Sequence, residues 1–313
     1  SALAASISAV GQTAIGYQAG MTVASGHYNT YIGYGAGKLC LAGNNTAVGY
    51  GAFDAADNTE ADNTAIGYNA MGQMNNDTSL KNTAIGSGAM DGAATSTVAE
   101  SVAVGYNALG GALAVSGSVA IGASALEVLT SGVGNTAIGY DSSSSITAEN
   151  NNTSLGYEAA LHLYGGSNVA VGKDSLAGFT FTEGGGVYND DPTITHNADA
   201  RIIAGLGVSG TGIPDGAYIA SITDSTHFEL SASTSGGSLS GQTLYFYSRT
   251  SDTIAIGTDA LTGITGGATG TVAIGSSALA ALTTGDGNVA LGYNSMIVAT
   301  DNANNTCIGH QTL

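Results

Sequence analysis

Basic residues are nearly absent from this chain of 313 residues. Three lysines and two arginines stand against 23 acidic residues, which gives a net charge of −18. A protein that binds nucleic acid neutralises phosphates with a basic patch, and an anionic membrane surface attracts the same kind of patch. The composition therefore argues against nucleic acid and against membrane surfaces as partners.

Charged residues of both signs are scarce, at 9%, whereas 43% of the residues are hydrophobic. Disordered chains show the reverse balance, so we predict a folded chain. No apolar run approaches the ~20 residues that a membrane-spanning helix needs, and we predict no membrane insertion. The chain also has few Lys, Glu, Arg and Gln residues, whereas its 49 glycines and many β-branched residues favour strands and turns over helices.

Residues that carry chemistry do not cluster in the sequence. The five histidines and two cysteines lack metal-ligand spacing, and there is no phosphate loop or nucleophile elbow. The nearest acid pairs for glycoside hydrolysis are Asp190 with Asp191 and Glu183 with Asp199, which we interpret as solvated loop acids. Asp286 lies in an acidic turn that matches no calcium loop. We predict no enzyme activity, no cofactor and no metal.

One nine-residue unit occurs fourteen times, roughly Asn-Thr-Ala-Ile-Gly-Tyr-Asn-Ala-Leu. Its fifth position is always glycine, and successive glycines are 16 to 19 residues apart, except for one interval of 85 residues. A short fixed period is typical of a solenoid, in which each coil covers the next. The repeat glycines are Gly16, Gly33, Gly49, Gly67, Gly86, Gly105, Gly122, Gly139, Gly156, Gly172, Gly257, Gly275, Gly292 and Gly309.

The long interval divides the chain into three segments. We predict ten solenoid coils in residues 1–177, an inserted all-β domain in 178–251, and four more coils in 252–313. At one strand spacing per coil, fourteen coils form a stack of about 65 Å. The chain begins with serine and ends on a repeat residue, so we expect a processed product or part of a longer protein.

Each unit predicts two short strands, one before and one after the glycine. Side chains alternate along a strand, so positions two and four share one face. Position two is Thr, Val or Ile and position four is Ile, Val or Leu, and we predict that this face is buried. Position three is alanine in eleven copies, and we predict that it faces outward against another subunit.

Two other positions predict ladders along the stack. Asparagine at position one predicts a hydrogen-bonded ladder between coils ~4.8 Å apart. Tyrosine follows the glycine in eight copies, for which we favour stacked rings. A tyrosine stripe that binds sugars or a cell-surface protein is the alternative.

Units such as Ser101-Val102-Ala103-Val104-Gly105 and Ser118-Val119-Ala120-Ile121-Gly122 resemble the head repeats of YadA-like trimeric autotransporter adhesins. The Asn-Thr-Ala-Ile-Gly units also resemble repeats of bacteriophage tail-fibre and appendage proteins. The resemblance covers roughly residues 10–177 and 252–313 and implies a left-handed parallel β-roll, an intertwined or side-by-side homotrimer, and adhesion. These coils are longer than the usual adhesin-head repeat, which leaves the target open.

The insert differs sharply in composition. It contains both prolines, both arginines and four of the five phenylalanines. Alternating runs at 217–222, 227–230 and 243–247 predict strands of a small barrel or sandwich, with a turn at 212–216. The stretch 208–216, with the strands that follow, is similar to a small β module of phage virion proteins.

These observations favour a non-enzymatic structural and adhesive fibre or appendage on the surface of a bacteriophage virion. Its partners would be itself, other virion proteins, and a host-surface polysaccharide or protein. A bacterial cell-surface adhesin or extracellular filament is the alternative, a polysaccharide-depolymerising tailspike is third, and an ice-binding protein is a distant fourth. The predicted contact residues are Tyr188, Asp190, Asp215, Tyr218 and Asp224.

The two cysteines, Cys40 and Cys307, are separated by twelve coils. A disulfide needs Cα atoms within ~7 Å, so we predict that they do not pair within one chain. An interchain bridge at a trimer axis is the remaining option.

Overall fold

A computed structural model describes residues 1–4, 8–23, 25–56, 60–75, 80–92 and 97–312. Throughout these residues the chain is all β. No helix in this part of the chain is long and apolar enough to span a membrane. The chain divides into two compact units, Ser1–Ala159 and Ala160–Leu313.

The first unit is a parallel β-solenoid, as predicted. Nine of its strands pair in sequence order, and the register aligns identical repeat positions, so that Thr64 lies opposite Thr83 and Ile66 opposite Ile85. Strands β7 and β9 form a second, two-stranded parallel sheet. The strands are β1 Thr13–Ile15, β2 Thr30–Ile32, β3 Thr46–Val48, β4 Thr64–Ile66, β5 Thr83–Ile85, β6 Val102–Val104, β7 Ala114–Ser116, β8 Val119–Ile121, β9 Ser131–Val133, β10 Thr136–Ile138 and β11 Thr153–Leu155.

The repeat glycine lets successive coils approach each other. Gly86 has a φ of +141°, and a Cβ on it would lie 2.2 Å from the carbonyl oxygen of Gly105 in the next coil. The predicted second strand after the glycine is wrong, because these residues form turns. Asn69 and Met71, for example, have φ values of 50° and 52°, in the left-handed region, which bends the chain before a strand can extend.

The predicted inward and outward faces of the repeat strand are reversed in the structure. Alanine at position three is buried, as at Ala65 and Ala120, both 0% exposed. Position four faces outward, and Ile66 and Ile121 are 37% and 38% exposed. The interior of a narrow coil accepts a methyl group beside the asparagine and the apolar residues of the turns, so the β-branched side chains take the outer face. The solenoid thus carries an uncharged outer row of Thr, Val and Ile.

The predicted asparagine ladder forms inside the coils, with different partners from those expected of stacked amides. The Asn135 Oδ1 accepts the backbone N–H of Asn152 in the next coil, at 3.0 Å. The Asn135 Nδ2 donates to the carbonyl oxygen of Glu149 at 2.7 Å. Each such side chain therefore ties two segments of neighbouring coils together.

The second unit contains five coil strands and the insert. Strand β12 pairs directly with β19, with Val169 opposite Ile254, so the insert leaves and returns between adjacent coils. The coil strands are β12 Val169–Val171, β19 Ile254–Ile256, β20 Val272–Ile274, β21 Val289–Leu291 and β22 Thr306–Ile308. The insert strands are β13 Thr180–Asn189, β14 Thr193–Thr195, β15 Gly207–Ser209, β16 Ile219–Asp224, β17 His227–Leu230 and β18 Ser238–Tyr247.

The insert is a closed barrel, which decides between the two predicted forms. Its antiparallel sheet has the order β15-β18-β13-β14-β17-β16. The edge strands then join, because the Val208 N–H donates to Ala217 O at 2.9 Å and the Ile219 N–H donates to Leu206 O at 2.8 Å. Aromatic and aliphatic side chains, including Phe228, fill the interior. All of these strands lie inside the predicted segment 178–251.

Candidate binding site on the inserted barrel

Asp190 lies in the turn between β13 and β14, where its φ of 53° suits a short polar residue. Its Oδ1 accepts the backbone N–H of Gly237 at 2.8 Å. The adjacent Asp191 accepts, on its carbonyl oxygen, the backbone N–H of Thr234 at 3.0 Å. The Asp190 carboxylate therefore connects two loops at one end of the barrel.

Asp215 is exposed in the loop between β15 and β16. The same loop accepts, at the Gly212 carbonyl oxygen, the backbone N–H of Ser235 at 2.7 Å. Because Ser235 and Gly237 belong to one loop, the predicted contacts Asp190 and Asp215 lie at the same end of the barrel.

Tyr188 has a packing role. Its side chain is 3% exposed within the barrel core, and its hydroxyl donates to the carbonyl oxygen of Thr211. A buried ring offers no surface to a ligand, which is at odds with the predicted aromatic contact at this position.

Asp224 lies in the turn between β16 and β17, beside a cavity of about 320 Å³ that His196 and Asp199 also line. Hydrogen bonds from His227 Nδ1 at 2.9 Å and from the Thr226 N–H at 2.7 Å lower the pKa of the Asp224 carboxyl to about 2. This carboxylate is thus ionised and held by its own turn, apart from the loops of Asp190 and Asp215.

The candidate catalytic acids also have structural partners. Arg201 donates two hydrogen bonds from Nε to Asp199, at 3.0 Å each, and this pairing lowers the pKa of the Asp199 carboxyl. The Glu183 Oε1 accepts the backbone N–H of Asn197 at 3.0 Å. An ionised, paired carboxylate suits a structural contact better than it suits a general acid.

Tyr218 borders a groove of about 400 Å³ between the barrel and two coils of the second unit. The guanidinium carbon of Arg249, directly after β18, lies 4.2 Å from the centre of the Tyr218 ring. This distance is typical of a cation–π contact. The rest of the groove is lined by Ala204, Gly205, Gly266, Gly267, Thr269, Thr284, Gly285 and Asp286.

Arg249 is absent from the predicted contacts, although the sequence contains a signal for it. Both arginines of an acidic chain lie in the insert, and only the fold separates a paired arginine from one that faces a groove. The glycines that line the groove come from loops whose approach the repeat pattern does not reveal.

The exposed tyrosines of the first unit stack as predicted. The ring centres of Tyr17 and Tyr34 lie 5.1 Å apart, those of Tyr34 and Tyr50 lie 5.1 Å apart, and those of Tyr50 and Tyr68 lie 5.4 Å apart. Because neighbouring rings cover each other's faces, the stack presents mainly edges and hydroxyl groups. This arrangement favours a stabilising role over stacking against sugars.

Cys40 and Cys307 are free thiols, as predicted. Burial raises the pKa of the Cys40 thiol to about 11, so it stays neutral at physiological pH. Across the described residues, no three His, Cys, Asp or Glu side chains come together in a way that could hold a metal ion. No protein-family model, no curated protein and no solved structure matches the chain.

Proposed function

We propose that this chain is a non-enzymatic structural and adhesive protein of a bacteriophage fibre or appendage, displayed on the virion surface as a homotrimer. The observation that carries the proposal is a uniform solenoid interrupted by one closed barrel. The solenoid would provide reach and self-association, and the barrel would provide the contact with the host.

The outer row of the solenoid supports self-association. Positions two and four carry only Thr, Val, Ile or Leu in all fourteen units, so no charge opposes a partner chain. Exposed apolar surface of this extent is typical of interaction sites. A copy of the same chain has the same spacing between coils, so one favourable contact recurs at every coil. Threefold assembly follows from the resemblance to trimeric heads, and it would multiply weak host contacts.

The non-enzymatic part of the proposal rests on the acids. Asp199 is paired with Arg201, and Glu183 with a backbone N–H, so neither is placed as a free general acid. Incubation of the protein with host polysaccharide should therefore release no oligosaccharides. Their release would favour a depolymerase instead.

Removal of the barrel tests the proposed host contact. Residues 178–251 are deleted and residue 177 is joined to residue 252, which suits the direct pairing of β12 with β19. We expect binding to host cells to be lost while the mass of the assembly in solution corresponds to the same number of chains. Unchanged cell binding would contradict the proposed role of the barrel.

A further inference from the structure

Arg249 is placed differently from the other arginine of this chain. Arg201 is paired with Asp199, whereas no carboxylate lies within 4.0 Å of the Arg249 guanidinium in the described structure. Its positive charge is instead presented on the Tyr218 ring inside the groove. In a chain with a net charge of −18, such an arginine is a preorganised site for one anionic group.

The groove walls provide polar groups around this charge. The Asp286 Oδ1 accepts the backbone N–H of Thr269 at 2.7 Å, which holds the loop and leaves Oδ2 available. The side chains of Thr269 and Thr284 also line the groove. A ligand that combines an anionic group with several hydroxyl groups would therefore find a cation at one point and hydroxyl partners at others.

Glycines keep the groove open and bring the barrel close to the coils. A Cβ on Gly266 would lie 2.3 Å from the Thr284 Cγ2 and 3.0 Å from the Ala204 carbonyl oxygen. A larger residue there would fill the space between barrel and coil. The resulting volume of about 400 Å³ lies within the range of small-ligand sites.

We propose that this groove binds a carboxylate-bearing sugar, with Arg249 on the carboxylate and with Thr284, Thr269 and Asp286 on the sugar hydroxyls. A planar carboxylate matches the two-pronged guanidinium, and a single negative charge limits repulsion from this acidic protein. The proposal names the ligand class of the host contact proposed above and rests on it for its biological meaning. Binding itself is measured on the protein alone.

The test titrates the full chain with D-glucuronate and with N-acetylneuraminate, and uses D-glucose and inorganic phosphate as comparison ligands at constant ionic strength. Saturable binding of at least one acidic sugar, by calorimetry or NMR, is the expected result. R249Q should weaken it about tenfold or more, because a charge-assisted pair is lost. R249K should recover only part of the affinity, since it restores the charge without the fork.

The matched control is R201Q, which removes the other arginine and should leave sugar affinity unchanged. Thermal melting of each variant checks that the fold is retained. Equal binding by R249Q, equal binding of glucose, preference for phosphate, or no saturable binding below ~10 mM would overturn the proposal.

Two outcomes separate this proposal from the broader one. If R249Q still binds cells but the barrel deletion does not, the host contact stands and the groove is not its site. If acidic sugars bind through Arg249 but the barrel deletion still binds cells, the groove is a sugar site and the proposed host contact is wrong.

Discussion

At the residue scale, the repeat glycine determines how close the coils lie. Its φ is in a region that L-residues rarely adopt, and its missing side chain leaves room for the carbonyl oxygen of the next coil. Tyr31 shows the same economy of space inside the coil. It replaces alanine at position three, and Gly37 replaces the usual large residue at position nine, because a Cβ there would lie 2.2 Å from the Tyr31 ring.

Alanine substitution at Gly122 should destabilise the solenoid far more than the same change at Gly117. Both glycines have positive φ, but a Cβ on Gly122 would lie 2.3 Å from the Gly139 carbonyl oxygen, whereas Gly117 has open space around it. We expect G117A to lower the free energy of unfolding by about 1 kcal/mol, from the left-handed backbone alone. G122A should cost roughly 3 kcal/mol or more, because backbone overlap is added. Urea denaturation measures both, and equal losses would contradict the argument.

At the element scale, parallel strands of three residues are too short to form a stable sheet by themselves. Their stability depends on the turns and on the buried asparagine ladder, which links each coil to the next. The ladder accepts serine or threonine where the hydroxyl still reaches the next N–H, as from Ser101 to Ser118 at 3.2 Å. The variation at position one thus follows from hydrogen bonding.

Replacement of Asn135 by alanine removes an acceptor for the Asn152 N–H and a donor for the Glu149 carbonyl. Each buried group left unsatisfied costs about 1–3 kcal/mol, so we expect a loss of roughly 2–5 kcal/mol in the free energy of unfolding. Serine should recover part of this loss. Ser144→Ala, at a half-buried hydroxyl outside the ladder, is the control and should change stability by less than ~0.5 kcal/mol. Similar effects of N135A and S144A would show that the ladder contributes little.

At the scale of the whole molecule, assembly depends on the outer row of the solenoid. We expect the wild-type chain to run in sedimentation or light scattering at three times its mass of 30.5 kDa. The double variant I85E/I121E places two charges on the outer row and should run as a single chain with unchanged circular dichroism, because unpaired charges at an apolar interface are strongly unfavourable.

The matched control, S87E/Y106E, adds the same charge at the position after the glycine and should leave the assembly intact. A wild-type chain that runs as a monomer would contradict the trimer. A trimer that survives I85E/I121E would place the interface on another face.

The sequence by itself determined the coil, its count and its interruption, because a glycine at a fixed interval permits only a close stack of short strands. It also predicted the barrel's strands and the tyrosine stacking, since both follow from local alternation and from spacing. Tertiary structure alone decided which face of each strand points inward, because both faces are apolar and only the width of the coil selects alanine. It also decided that Tyr188 packs in a core and that Arg249 meets Tyr218 and Asp286 across a groove, because these residues are distant in sequence and only the closed barrel brings them to the coils.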